Sequence, residues 1–154
     1  MKMASRSSYS HRYVLAYLIF FIIIGVSGCT VKLISDYDEF TDQAVTNLHR
    51  KVEGLFINLK AHLNDPAWTY ENKKEFYTEI RVDLEVIKLR NSIREKNKIT
   101  NDQLDLLSKS INDLEQLHKA GSFTAKEVVD SAQAGFNSSF KAILALELAK
   151  NKGA

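Results

Sequence analysis

The sequence predicts an all-α protein, built as an antiparallel, up-down-up-down four-helix bundle. Apolar residues recur at steps of three and four in four successive segments, which is the spacing of one helical face. The 154 residues include only one proline and six glycines, and this scarcity suits long uninterrupted helices rather than a sandwich fold. The connections between the segments are short, which favours antiparallel neighbours.

The first predicted helix has one apolar face and an acidic beginning. Its face is formed by Val45, Leu48, Val52, Leu55 and Leu59. Acidic residues crowd its beginning, where they interact favourably with the positive end of the helix dipole. The breaker Asn64-Asp65-Pro66 marks its end.

The second predicted helix runs from about residue 70 to residue 96 and finishes on basic residues. Its apolar side is formed by Phe76, Ile80, Leu84 and Ile87. Positive side chains at its end complement the negative end of the helix dipole. These side chains are Lys88, Arg90, Arg94, Lys96 and Lys98.

The third and fourth predicted helices begin at a repeated signal. Thr100 with Gln103, and Thr124 with Glu127, match the capping box, in which a threonine and an acid or amide three residues later cap the first turn. Gly121 between them predicts a C-terminal cap. The apolar faces are Leu104, Leu107, Ile111 and Leu114 in the third helix, and Val129, Phe136, Phe140 and Ile143 in the fourth.

The first 28 residues predict an export signal. Residues 1–12 are polar and positively charged, residues 13–24 (YVLAYLIFFIII) form an apolar run, and small residues then close it. This order is typical of a signal peptide. The run is short for a membrane span, which needs about 20 apolar residues.

The end of this leader, Val26-Ser27-Gly28-Cys29, resembles the lipobox of bacterial lipoproteins. The resemblance, which covers only the leader, implies that signal peptidase reads Val26, Ser27 and Gly28 and cuts before Cys29. It also implies covalent lipid such as palmitate on Cys29. Thr30, where some lipoproteins carry an Asp that retains them in the inner membrane, implies the periplasmic face of the outer membrane. The alternative is an uncleaved signal anchor with Cys29 as a small buried residue.

These features divide the chain into four parts: a signal peptide over 1–28, a lipidated cysteine with a short linker over 29–35, the bundle over 36–150 and a frayed tail over 151–154. Each residue of the linker spans at most about 3.4 Å, so the linker is too short to form a long stalk. We therefore expect one end of the bundle near the membrane and the loop 64–69 at the far end. The pattern leaves one rival fold open, a three-helix domain in which the third segment packs loosely or the first pairs with another copy.

Composition argues against several classes of function. The leader holds three basic residues and no acid, so the rest carries 18 of the 21 Lys and Arg against 19 Asp and Glu. The signs are interleaved and form no basic face, which argues against nucleic acid as a partner. The single cysteine excludes an intramolecular disulfide and a multi-cysteine metal motif. His49, His62 and His118 lack the Glu-x-x-His pattern of bundle metal sites, so we expect no metal and no cofactor apart from the lipid.

Two surfaces are candidate contact sites. Trp68, the only tryptophan, and Tyr70 lie in the loop at the predicted far end. They either contact a partner, since aromatic residues dominate interface hot spots, or fold back to plug the end of the bundle. The second surface is a set of basic side chains that either contact anionic lipid headgroups or only complement the helix dipole and keep the protein soluble. The candidates for it are Arg90, Arg94, Lys96 and Lys98.

The sequence carries no recognisable catalytic motif: no glycine-rich phosphate loop, no nucleophile elbow and no Ser/His/Asp set. It therefore predicts a non-enzymatic lipoprotein that binds, assists or scaffolds a protein partner at the membrane. The alternatives are a binder of a small apolar or aromatic ligand between helices and an enzyme whose site has no legible motif. Apolar residues off the core faces, such as Val82 and Leu89, leave self-association open.

Overall fold

The computed structural model describes residues 34–152, and in that range the chain is a helical bundle of four α-helices with no strand. The helices are α1 (Glu39–Ala61), α2 (Lys74–Ser92), α3 (Lys98–Lys119) and α4 (Lys126–Lys152). Two 3₁₀ turns, Pro66–Trp68 and Tyr70–Asn72, lie between α1 and α2. The predicted all-α class is confirmed.

The predictions for the leader lie outside the described residues. They concern the signal peptide over 1–28 and the lipidated Cys29 with its linker as far as residue 33. Of the predicted tail over 151–154, the first two residues belong to α4. Within residues 34–152, every helix is too short or too polar to cross a membrane.

The apolar faces that the spacing predicts are the ones the helices bury, except that in α2 the predicted Phe76 is only partly buried and the neighbouring Tyr77 is fully buried. The five face residues of α1 are between 0% and 4% exposed, and fully burying one such side chain stabilises the fold by about 1.5–3 kcal/mol. Each helix packs against the next one in the chain, and α4 also packs against α1. The four helices therefore share one core.

Helix α2 is shorter than the predicted segment 70–96. It begins at Lys74, because residues 70–72 form a separate 3₁₀ turn. It ends at Ser92, where the side chain of Asn97 reaches back and donates to the Asn91 carbonyl (3.3 Å). That bond satisfies one of the carbonyl groups left open at a helix end. The last three predicted basic residues therefore lie in residues 93–99, which include the first two residues of α3 and which we call the α2–α3 turn.

The capping box predicted at Thr100 and Gln103 is wrong. Helix α3 begins at Lys98 with Asn97 in the N-cap position, and Thr100 is completely buried within its first turn. The Thr100 hydroxyl accepts a hydrogen bond from the ammonium group of Lys150 in α4 (2.8 Å). A contact with a neighbouring helix has therefore taken the side chain that the local pattern assigns to capping.

The α3–α4 connection turns at Gly121, as predicted. Gly121 has φ +68°, and its N–H and that of the next residue donate to carbonyls of the last helical turn (3.0 Å each), which is the Schellman arrangement. The second predicted cap, Thr124, does not hold the N-cap position, because the helix begins farther along the chain. Helix α4 begins at Lys126, and Ala125 accepts its first helical hydrogen bond.

Candidate functional site

A cleft of about 600 Å³ opens where the loop after α1 meets the α3–α4 connection. We call it the Trp68 cleft. Its apolar and aromatic walls combine with histidine, lysine and carboxylate side chains, the mixture usual for binding pockets. Its lining includes Leu59, His62, Trp68, Tyr70, His118 and Phe123.

Trp68 is half-buried and packs against the core at this cleft. The His62 ring stacks on its indole with centroids 5.2 Å apart and planes 16° apart. The Lys73 ammonium lies 3.7 Å from the centroid of the same ring, a cation–π distance. The tryptophan is thus held in place on the bundle, as the plugging interpretation expects, while it still lines the cleft.

His118 joins this loop to the core. Its Nε2 lies 2.8 Å from the Trp68 carbonyl oxygen, and its Nδ1 lies 2.9 Å from the Tyr77 hydroxyl. A carbonyl only accepts, so Nε2 carries the proton, and Nδ1 of the neutral ring accepts from the hydroxyl. Burial lowers the pKa of His118 and thereby favours this neutral form.

Tyr70, the second predicted contact residue, is also half-buried and tied down. Its hydroxyl donates to Glu115 (3.1 Å), which in turn pairs with Arg81 of α2. Burial, followed by the Glu115 hydrogen bond, raises the pKa of Tyr70. The sequence-predicted pair Trp68 and Tyr70 is therefore brought together at one cleft, on a rigidly held loop.

The predicted headgroup residues are divided by the structure. Arg90 makes two hydrogen bonds to the Asp38 carboxylate (2.8 and 2.9 Å), and Arg94 donates to the Asp36 carbonyl (2.6 Å). The bonds from Arg90 hold the pKa of Asp38 well below its usual range. Both arginines therefore brace the segment before α1, which is the acidic partner that the dipole interpretation expects.

The other two headgroup candidates lie farther out in the α2–α3 turn. Lys96 is exposed and has φ +58°. Lys98 pairs with Asp102 one turn along α3 (2.6 Å), but its side chain is 84% exposed. Of the four predicted residues, these are the two whose side chains make no bond to the described segment before α1.

A buried polar network lies where the described chain enters the bundle, and we call it the entry network. The Lys150 ammonium donates to Glu147 (2.5 Å), to Asn97 (2.8 Å) and to Thr100 (2.8 Å). These three bonds use all the protons of the ammonium group. Ser35 adds a bond from its hydroxyl to the same Asn97 oxygen (2.7 Å). The chain entry, the α2–α3 turn and the end of α4 are thereby joined.

Helix α2 also carries exposed apolar side chains outside its buried face. Val86 and Ile93, which the spacing places beside the core face, are 51% and 80% exposed, and Val82 and Leu89 are 59% and 70% exposed. The signal was partly present in the sequence, because Val82 and Leu89 lie off the core face. Ile93 lies four residues after Leu89, so it continues the same outer side.

No group of three or more His, Cys, Asp and Glu side chains converges as metal ligands would within residues 34–152. His62 and His118 both contact Trp68, one by stacking and one by a hydrogen bond to its carbonyl. Their ring atoms therefore serve the loop that borders the cleft.

Comparison of the chain with protein-family models, with curated proteins and with solved structures returns no match. A role for these residues therefore follows from their own contacts, together with the lipobox-like motif of the leader.

Proposed function

We propose that this chain is a membrane-tethered periplasmic lipoprotein that acts, without catalysing a reaction, as a binding, accessory or scaffold factor for a protein partner. Lipid on Cys29 is the proposed anchor, Val26, Ser27 and Gly28 the proposed peptidase recognition residues, and the periplasmic face of the outer membrane the proposed location. The lipobox-like sequence at the end of a signal-like leader supports this part of the proposal.

The proposal includes an up-down-up-down, antiparallel order of the helices behind that signal peptide. Contacts between helix ends support it. Asp38, next to the start of α1, pairs with Arg90 near the end of α2, and Lys60 near the end of α1 pairs with Asp130 near the start of α4. Each pair joins the beginning of one helix to the end of its neighbour.

The proposed partner site is the Trp68 cleft, and one observation carries it: the cleft borders the end of α1, whereas the described chain enters at its beginning. Helix α1 has 23 residues, which corresponds to about 34 Å at 1.5 Å per residue. The six Cα–Cα steps from Cys29 to Ser35 span at most about 20 Å. The length of chain from Cys29 to Ser35 is thus shorter than α1, which supports a partner site at the end of α1 that the chain entry leaves free.

The anchor is tested by replacing Cys29. In the Cys29→Ala chain we expect no incorporation of labelled palmitate and accumulation of the uncut precursor. Cys29→Ser is a second, nearly isosteric variant that also lacks the thiol. Unchanged cleavage and unchanged lipid labelling in both variants would overturn the lipoprotein assignment.

The partner site is tested by photocrosslinking in cells from single exposed positions. Thr69 and Thr124 line the cleft, and Ser138 lies on the outer side of α4 as a matched exposed control. We expect one protein to be captured from both cleft positions and not from Ser138. Capture that is equal at all three positions, or absent from the cleft positions, contradicts the proposal.

A second candidate, a small apolar or aromatic ligand, is favoured by the dimensions of the same cleft. About 600 Å³ lies within the range of roughly 300–1,000 Å³ usual for ligand pockets, and Leu59 and Phe123 supply apolar walls. Native mass spectrometry of the detergent-extracted protein tests for a bound mass. That mass should disappear when Thr124→Trp fills the cleft and persist in the control Ser138→Trp.

A further inference from the structure

The α2–α3 turn, residues 93–99, has the reverse of the usual polarity. Ile93 is 80% exposed and Ile99 is 51% exposed, whereas Asn97 between them is 2% exposed. Single apolar residues on a surface are common. Here, however, two isoleucines point outward from the same short turn while its asparagine is buried, and such an arrangement needs a physical cause.

The cause is the entry network. The Asn97 side-chain oxygen accepts from both Lys150 and Ser35, and its amide donates to Asn91. Turning Asn97 outward would leave one N–H of the buried Lys150 ammonium without an acceptor, and leaving a buried donor unsatisfied is costly. The turn is therefore fixed with its asparagine inward, while Ile93 and Ile99 on either side of it are exposed.

The exposed isoleucines are accompanied by positive charge and by further apolar surface. Lys96 and Lys98 are exposed on the same turn, with the acid Glu95 beside them in the chain and the acid Asp102 paired with Lys98. Leu89, four residues before Ile93 on α2, is 70% exposed. Apolar side chains interspersed with lysines are the composition of surfaces that lie in a membrane interface, with the apolar groups at the acyl boundary and the cations at anionic headgroups.

The position of the turn favours a lipid surface as its occupant. The N–H of Ser35 donates to the carbonyl of Lys96 (3.1 Å), so the described chain begins in contact with this turn. Cys29 lies six residues before Ser35, a span of at most about 20 Å. A lipid on Cys29 would therefore keep the bilayer within reach of the exposed isoleucines.

We propose that the turn 93–99 is a second membrane contact beside the lipid anchor: Ile93 and Ile99 enter the lipid interface, and Lys96 and Lys98 bind anionic headgroups. This inference rests on the proposed anchoring of the chain through Cys29. It also divides the four predicted headgroup residues by role, because Arg90 and Arg94 brace the start of α1 and only the two lysines face the lipid.

The test places a fluorescent label at single positions of the full-length protein after reconstitution into vesicles that contain anionic phospholipid and a nitroxide-bearing phospholipid. The labelled variants are Ile93→Cys and Ile99→Cys, with Leu106→Cys on α3 as a control of similar exposure (65%). We expect a blue-shifted, strongly quenched label at both turn positions and an unquenched label at the control. Equal quenching at all three positions, or none at the turn, overturns the inference.

A failure of the anchor gives a different result. If Cys29 carries lipid, its thiol is blocked, and the wild-type chain takes up no label because it has no other cysteine. Labelling of wild type would therefore contradict the lipoprotein assignment, whereas a blocked Cys29 with an unquenched turn contradicts only the membrane contact.

Charge and apolar contributions are separated by two further changes in the Ile93→Cys background. Replacing anionic by zwitterionic phospholipid, or introducing Lys96→Glu with Lys98→Glu, should move the label outward and remove most of the quenching. The matched change Lys109→Glu, at an exposed position of α3, should leave it unchanged. Quenching that is insensitive to both lysines and to lipid charge would refute their assignment to headgroups.

Discussion

The buried pair of Glu147 and Lys150 gives the sharpest stability prediction. Their side chains are 0% and 2% exposed, and Lys150 donates to Glu147, Asn97 and Thr100. In the Lys150→Met chain a carboxylate remains buried without its cation, and breaking such a pair costs about 3–5 kcal/mol. For a domain of this size, about 4 °C per kcal/mol corresponds to a decrease in Tm of about 12–20 °C.

Thermal and urea unfolding followed by circular dichroism measure this effect. The double variant Glu147→Gln with Lys150→Met should regain most of the loss, because no uncompensated charge remains buried. The exposed control Lys98→Met removes an i,i+4 pair on the surface of α3, and such pairs contribute about 0.3–0.5 kcal/mol. A loss below about 1 kcal/mol in Lys150→Met, or no recovery in the double variant, would refute the reasoning.

Three further predictions concern ionisation and backbone geometry. Arg90 lowers the pKa of Asp38, so the stability that this pair supplies is complete above the ordinary carboxyl pKa of about 4 and is lost as pH falls below it. Asp38→Asn should therefore cost about 1 kcal/mol at pH 7, after allowance for screening of the half-exposed arginine. It should also make the stability less dependent on pH in acid unfolding. Burial lowers the pKa of His118, so stability should fall as pH drops through the unfolded value of about 6.5, and His118→Gln should weaken this dependence in urea titrations at pH 7.5 and 5.5. Gly121→Ala should destabilise the fold by about 1–2 kcal/mol, because Gly121 has φ +68°. Gly135→Ala in α4 should stabilise the fold by about 0.5–1 kcal/mol, because an added Cβ there meets nothing within 4 Å. Destabilisation by both substitutions would contradict this prediction.

The helical faces were predictable because apolar residues at helical spacing lie on one face, and that face is the one a bundle buries. The five α1 residues from Val45 to Leu59 recur at steps of three and four, and all are buried. Gly121 was predictable for a similar reason, since a glycine after a helix has one common use. Both signals are local, and each is read within a few residues of the chain.

The capping box wrongly predicted at Thr100 shows which features a short stretch of sequence does not predict. Its sequence matches the motif, yet its hydroxyl is taken by Lys150, fifty residues later in the chain. The same holds for Asn97, whose partners Ser35 and Lys150 are distant in sequence. No property of these short segments distinguishes a cap from a buried network, because the deciding interactions come from other helices.

The polarity of the α2–α3 turn follows from this non-local chemistry, and it changes which residues are candidates for membrane contact. By composition, Arg90 and Arg94 are as suitable for headgroups as Lys96 and Lys98. The Asp38 carboxylate and the Asp36 carbonyl engage both arginines, while the burial of Asn97 turns the neighbouring isoleucines outward. The bonds that fix the entry of the chain thus also determine which side chains face away from the bundle there, so loosening them by Asn97→Ala should change stability and membrane contact together.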